Sequence, residues 1–206
     1  MTTLTIVRHG QSLSNLEKTF AGQSDVPLTE LGKHQALLVC DFLKESSFDI
    51  IYSSTLSRAY NTVLPLAQAR EMQIHRVFEL CETRLGEWEG KKIDDVREDY
   101  TKWREDPNFA PPGGESVIMV RERFGKAVDK IAADNPNKKI LVASHGGCIR
   151  LLPSWLEKDE TLIKSTPIAS NVSVTTVVYE NGRGVVKEYA FDEYLGDMVT
   201  QFDNGR

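Results

Sequence analysis

Arg8-His9-Gly10 and Ser144-His145-Gly146-Gly147 each end a run of apolar, β-type residues, Thr5-Ile6-Val7 and Ile140-Leu141-Val142-Ala143. In an open parallel sheet the carboxyl ends of strands share one crevice, and ligands bind there. Two histidines far apart in sequence can therefore meet in one pocket. Arginine offers a planar fork of donors that fits the oxygens of phosphate or carboxylate. A neutral imidazole beside it can attack an electrophile while a carbonyl holds its other nitrogen. Gly10 lets backbone and ligand approach closely, and Gln11, Ser12 and Asn15 add neutral donors. Taken alone, Arg-His-Gly also fits an ordinary turn at a strand end.

Two other segments could join the same crevice. Ser53-Ser54 closes a further apolar run, and Arg58 follows it near the start of a helical pattern, where helix amides also favour an anion. Glu79, Glu82, Glu87 and Glu89 crowd a short irregular stretch. A carboxyl within hydrogen-bond reach of a leaving oxygen can act as general acid and base, but spacing does not choose among these four. His34 falls in a helical pattern and His75 in a strand bounded by charge, so both read as surface or structural positions.

Positioning these residues takes strands and helices in alternation. Apolar runs predict strands at 4–7, 48–52, 74–77 and 140–143. Helices are predicted from the Thr29 cap to about Lys44, from Leu56 to Arg70, from the Ser116 cap to about Asp134, and over 147–156. Pro65 should kink or interrupt the second of these. Residues 11–27 read as loop, and 79–115 as the least regular stretch, with an acidic helix near Ile93 to Trp103. Val172 to Tyr179 and Val185 to Phe191 flank Asn181-Gly182, a hairpin signal. The tail from Asp192 is acidic and is expected at the periphery. The pattern argues for an α/β fold, a three-layer α/β/α sandwich on a mostly parallel, mixed sheet. One domain over 1–206 is expected, since no linker or repeat divides the chain.

Bulk composition narrows the classes. The chain has 206 residues, 40% of them hydrophobic and 27% charged, as in ordinary globular proteins. A formal net charge of −5 argues against a nucleic-acid or membrane-surface role, which usually shows a basic excess. No apolar run reaches the ~20 residues needed to span a bilayer. No signal-peptide pattern is seen, and Cys40, Cys81 and Cys148 read as free, mostly buried thiols, so a reducing cytoplasmic location is expected. No Cys/His cluster has zinc spacing. The closing hairpin is either a sheet edge or an interface between copies in a homodimer.

Taken together and in order, these segments resemble the histidine phosphatase superfamily, with its phosphoglycerate mutase-like fold. The resemblance rests on Val7-Arg8-His9-Gly10-Gln11-Ser12 with Asn15, Phe20 to Thr29 with Gly32, and Tyr52-Ser53-Ser54 with Arg58-Ala59. It continues with Glu82 four residues before Gly86-Glu87-Trp88-Glu89-Gly90, then Pro111 to Ser116 and Ser144-His145-Gly146. It implies that His9 is the nucleophile and carries phosphate as phosphohistidine. Arg8, Arg58 and His145 would hold the phosphoryl oxygens, assisted by Gln11 and Asn15, and Glu82 would protonate the leaving oxygen. Ala21 and Gly22 would lie at the rim against substrate. No metal and no cofactor is implied, because arginines and a histidine supply the positive charge.

The superfamily contains phosphatases and mutases. Mutases usually follow the acid with Arg-His-Tyr-Gly and a longer basic insertion, whereas here Thr83-Arg84-Leu85-Gly86 follows Glu82, and 94–106 is rich in Asp and Glu. Hydrolysis of a small phosphate monoester is therefore expected. The alternatives are cofactor-dependent phosphoglycerate mutase activity, hydrolysis of α-ribazole phosphate, and a phospho-ligand-binding module without turnover. Arg84, Lys91 and Lys92 are either contacts for an anionic substrate tail or solvated surface charge.

Overall fold

The computed structural model describes residues 1–200. Six strands, β1 (Thr2–Arg8), β2 (Ile50–Ser54), β3 (Ile74–Val77), β4 (Lys139–Ser144), β5 (Val174–Glu180) and β6 (Arg183–Phe191), form one sheet in the order β3-β2-β4-β1-β5-β6. The first four run parallel, and β5 and β6 are antiparallel additions beside β1. The eight helices of the described residues are α1 (Leu13–Glu17), α2 (Glu30–Phe42), α3 (Ser57–Ala69), α4 (Arg97–Glu105), α5 (Val117–Asp134), α6 (Gly146–Ile149), α7 (Leu152–Glu157) and α8 (Leu162–Ser165).

Alternation along the strands makes two cores. Leu4, Ile6, Ile140 and Val142 point to one face and pack with Val120, Phe124 and Val128 of α5. Val7, Ile51, Leu141 and Ala143 point to the other and pack with Val39 of α2 and with Ala59, Val63 and Leu66 of α3. Side chains two residues apart share a face of a pleated strand, so the central strands, buried on both faces, read as continuous apolar runs. This is the expected three-layer arrangement. A third, smaller cluster of Phe20, Leu85, Trp88 and Tyr100 ties the loop before α2 to the irregular 79–115 segment.

Register decides what the strand ends do. Val7 lies opposite Ala143 and Arg8 opposite Ser144, while Ser53 lies opposite Ala143 on the far side of β4. The chain thus leaves β1, β4 and β2 at one level, and His9, His145 and Ser54 emerge side by side.

Several local expectations are corrected. α3 runs through Pro65 without interruption. The proline costs one backbone hydrogen bond, but Ala59, Val63, Leu66 and Ala67 on either side of it are buried, and that packing outweighs the loss. The predicted helix over 147–156 is two helices, α6 and α7, with Pro153 in the first turn of α7, where its missing donor is not needed. Residues 11–27 include a helical turn, α1, capped reciprocally by Ser12 and Asn15. The tail is not peripheral where it is described. Tyr194 stacks on Phe42 with ring centroids 4.2 Å apart, Leu195 is buried, and Gln35 donates to the Met198 carbonyl. The rest of that tail, 201–206, lies outside the described residues.

Candidate active site

His9 follows β1 directly and is buried. Its Nδ1 lies 2.7 Å from the Gly10 carbonyl oxygen. A carbonyl only accepts, so Nδ1 carries the proton and the neutral ring keeps a lone pair on Nε2. Burial, then the positive charges of Arg58 and Arg8, push its pKa well below the usual histidine range. The ring is therefore unprotonated at neutral pH and nucleophilic at Nε2.

His145 caps β4 from the opposite side, with the two imidazole centroids 5.1 Å apart. Its Nε2 meets Ser54 Oγ at 2.7 Å. Ser54 Oγ already accepts the Leu56 N–H, so the hydroxyl proton is free to go to Nε2, which leaves the ring proton on Nδ1. Burial and the Arg58 charge also hold His145 neutral.

Arg8 and Arg58 are buried beside these rings. Arg8 Nη1 donates to the Ala169 carbonyl, and burial lowers the guanidinium pKa to about 10, still charged at neutral pH. Arg58 donates from Nη2 to the Gly22 carbonyl (2.7 Å) and from Nη1 to the Ser24 carbonyl (2.8 Å). The substitution-intolerant position on that rim is Gly22. Its φ of +52° suits glycine, and a side chain there would run into the Glu89 carboxylate. Among the described residues, the buried side-chain polar atoms without a partner are Arg8 Nε and His145 Nδ1. Leaving such groups unpaired is costly, and both belong to the cluster of strand ends.

The four glutamates separate by geometry. Glu79 and Glu87 are exposed. Glu89 braces the rim loop by accepting from Gln23 N, Ser24 Oγ and Leu85 N. Glu82 turns toward α6, the helix that follows His145. Its Oε1 accepts from Thr83 N (2.8 Å) and its Oε2 from Gly147 N (3.1 Å), two residues past His145.

Asn15 joins the cluster indirectly. Its Oδ1 accepts from Ser12 and from Asn171 Nδ2, which also donates to the His9 carbonyl at 2.9 Å. Gln11 is turned aside, with its side-chain oxygen accepting from Thr29 Oγ1. Ala21 lies on the rim beside Gly22, its carbonyl accepting from Ser24 N.

Sequence reasoning missed Asn171, Ser54 as the partner of His145, and Arg123. Arg123 on α5 pairs with Glu115 (2.8 Å) and donates to the carbonyls of Glu79, Cys81 and Glu82. Only the polar run Ser170-Asn171 before an apolar strand could have flagged Asn171. Arg123 follows the charged side of a helical period, where nothing distinguishes it from a solvated residue.

A groove of about 1380 Å³ opens beside Gly147 and is lined by Arg150, Tyr100, Trp103, Arg104, Lys164 and Ile168 among others. The segment 94–106 is acidic as its sequence reads, but of its six carboxylates Asp94 and Glu105 line the groove, beside Arg97 and Arg104. Asp94 is paired with Arg97, and Asp99 with Lys102. Lys92 lines the groove, whereas Arg84 and Lys91 do not. Among the described residues, no group of three or more His, Cys, Asp or Glu side chains is placed to hold a metal ion, and no helix is long and apolar enough to cross a membrane.

A family model described as the histidine phosphatase superfamily (branch 1) matches residues 4–192. The chain is similar to a glucosyl-3-phosphoglycerate phosphatase of Mycobacterium tuberculosis, 35% identical over 75% of each chain. It is also similar to a 2,3-bisphosphoglycerate-dependent phosphoglycerate mutase of Parvibaculum lavamentivorans, 34% identical over 90% of this chain and 94% of that one. Among solved structures, a phosphoserine phosphatase variant from Entamoeba histolytica in complex with phosphoserine superposes with a TM-score of 0.85 at 28% identity. That match covers 95% of this chain and all (100%) of the other.

Proposed function

This chain belongs to the histidine phosphatase superfamily, and we propose that it hydrolyses a small phosphate monoester by way of a phosphohistidine on His9. The observation that carries this reading is the pair of partnerless buried polar atoms, Arg8 Nε and His145 Nδ1, set beside an imidazole with a free Nε2. Donors so placed suit the equatorial oxygens of a phosphoryl group in transfer.

In the first step His9 Nε2 attacks phosphorus in line. The N–P bond forms, the P–O bond to the alcohol breaks, and Glu82 gives its proton to the departing oxygen. The step requires Glu82 to carry the proton when the substrate is bound. In the second step water attacks the phosphohistidine, Glu82 takes the water proton, and inorganic phosphate leaves with His9 restored. Arg8, Arg58 and His145 hold the phosphoryl oxygens throughout. Asn15 assists through Nδ2, which makes no hydrogen bond among the described residues.

Hydrolysis is favoured over transfer to a second hydroxyl by Thr83-Arg84-Leu85-Gly86 after Glu82 and by the phosphatases among the relatives. The test is turnover of para-nitrophenyl phosphate together with acid trapping. Phosphate release, a base-stable and acid-labile phosphoenzyme, and loss of both in folded His9→Ala are expected. No turnover between pH 5 and 8 by well-folded protein would instead make the chain a binding module. A panel including 3-phosphoglycerate with and without its bisphosphate, scored for isomer as well as phosphate, separates phosphatase from mutase.

A further inference from the structure

We propose that Thr200, in the tail, is a positioning residue for His9: its hydroxyl joins two buried amides, Gln35 and Asn171, that set the His9 ring and the Asn15 amide. The chemical roles of His9 and Asn15 rest on the hydrolase reading above.

The tail arrives at a fixed place. Leu195 packs in the core between the sheet, α2 and α3, and Tyr194 stacks on Phe42. Thr200 is half-buried there. Its Oγ1 lies 2.9 Å from Gln35 Nε2 and 3.1 Å from Asn171 Oδ1, and its carbonyl accepts the Asn171 N–H at 2.8 Å.

The direction of every bond in this chain is forced from its two ends. The Gln11 N–H can only donate, so the Gln35 atom facing it at 2.8 Å is Oε1. Gln35 Nε2 then points to the tail and donates to the Met198 carbonyl and to Thr200 Oγ1. The His9 carbonyl can only accept, so the Asn171 atom facing it at 2.9 Å is Nδ2. Asn171 Oδ1 then faces Thr200 and takes the hydroxyl proton. One hydroxyl thus serves as acceptor for one amide and donor for the other.

Both branches end at the site. The Gly10 carbonyl and the Gln11 N–H belong to one planar peptide unit. Gln35 holds its N–H, and its carbonyl accepts from His9 Nδ1. The Gln35 branch therefore fixes the ring proton on Nδ1 and aims Nε2. In the other branch Asn171 Nδ2 also donates to Asn15 Oδ1, which accepts the Ser12 N–H as well. That leaves Asn15 Nδ2 as the end that faces a ligand. Gln35 and Asn171 are fully buried, and a buried amide that loses a partner has no solvent to replace it.

Thr200→Val removes the hydroxyl and keeps the shape. Per folded molecule it should lower kcat on para-nitrophenyl phosphate roughly tenfold to a hundredfold, the scale of a displaced reacting group. Thr200→Ser should restore most of the loss, and Val199→Ala, which trims an exposed neighbouring side chain, should cause none. Nitrogen NMR of the imidazoles reads the same chain of bonds without turnover. His9, identified by the signals lost in His9→Gln, should carry its proton on Nδ1 in the wild type and in Thr200→Ser, and exchange it between Nδ1 and Nε2 in Thr200→Val. If Thr200→Val melts early, Thr200→Ala takes its place in both measurements. An unchanged kcat, an unchanged His9 spectrum, or a loss that Thr200→Ser does not restore overturns the proposal. A wild type that does not turn over para-nitrophenyl phosphate overturns the hydrolase reading instead, and the spectra then still decide whether Thr200 sets the His9 ring.

Discussion

His9 and His145 are stored as neutral rings, and that has a thermodynamic consequence. Burial, with the charges of Arg58 and Arg8 behind it, sets both folded-state pKa values well below the unfolded value near 6.5. The unfolded chain therefore binds more protons below that pH, and stability falls as pH drops from 6.5 toward the folded values. Each histidine contributes a slope of about 1.4 kcal/mol per pH unit in that window. Urea unfolding of wild type and His9→Gln at pH 7 and pH 5 should show a smaller acid loss in the variant; parallel losses would refute buried neutral storage of His9. Glu82→Gln keeps the shape and the acceptor oxygen but has no proton to give. It should slow hydrolysis of alkyl phosphates by roughly a hundredfold or more and of para-nitrophenyl phosphate by much less, because an aryl leaving group needs less help. Equal loss on both substrates would assign the acid elsewhere. His9 and His145 were legible because each stands next to a strand end, whereas Glu82, one of four glutamates in an irregular stretch, was singled out by the family resemblance alone. Gln11 shows the limit: it follows His9-Gly10 in sequence, yet the Thr29 helix cap takes its side-chain oxygen.

At the scale of elements, the proposed acid, Glu82, is held by a helix that reaches its backbone carbonyl. Arg123 of α5 clamps the carbonyls of 79, 81 and 82 and forms a well-shielded pair with Glu115, whose Oε2 accepts the Arg84 N–H. Burial lowers the Arg123 pKa, but the Glu115 bond outweighs it and the net shift is upward. Arg123→Met strands Glu115 without its partner and should cost about 3 kcal/mol or more in urea unfolding. It should also lower kcat more than it raises KM, because Arg123 positions Glu82 rather than substrate; a pure stability loss would limit it to the scaffold. Gly147→Ala tests the same geometry from α6. The added methyl would collide with Glu82 Oε1, so kcat should fall roughly a hundredfold, as a displacement of about 1 Å can do; full activity would show that Glu82 yields at no cost. Elements with strong local signals, such as α2 behind Thr29 and α5 behind Ser116, were readable from caps and periodicity. α1, α8 and the break between α6 and α7 were not, because helices of so few turns owe their existence to tertiary packing rather than to propensity. The loop from 79 to 92 has no period to read, and its shape comes from contacts with Phe20, Glu115 and Arg123.

At the scale of the whole molecule, three strand ends, two loops and α5 converge on one anion-shaped gap, so ligand binding should be felt by the entire fold. Inorganic phosphate at about a hundred times its Kd should add about 2.7 kcal/mol, which for a chain of this length raises Tm by roughly 5–10 °C. Arg8→Met should abolish the rise, and a wild-type Tm indifferent to phosphate would argue against the pocket. The sheet order was not readable beyond its mixed character, since pairing partners far apart in sequence leave no local trace; the placement of β5 against β1 is what brings Ala169 and Asn171 to the pocket. That placement also sets a direction. β5 starts where β1 ends, with Val174 opposite Val7, and finishes opposite Thr2. The hairpin tip, Asn181 and Gly182 with φ of 51° and 77°, therefore stands at the other pole of the sheet, roughly 20 Å from His9 by strand rise. A reporter peptide spliced between Asn181 and Gly182 would sit on an exposed tip remote from phosphate, giving a fluorescent or affinity handle on an enzyme whose pocket is left as it is.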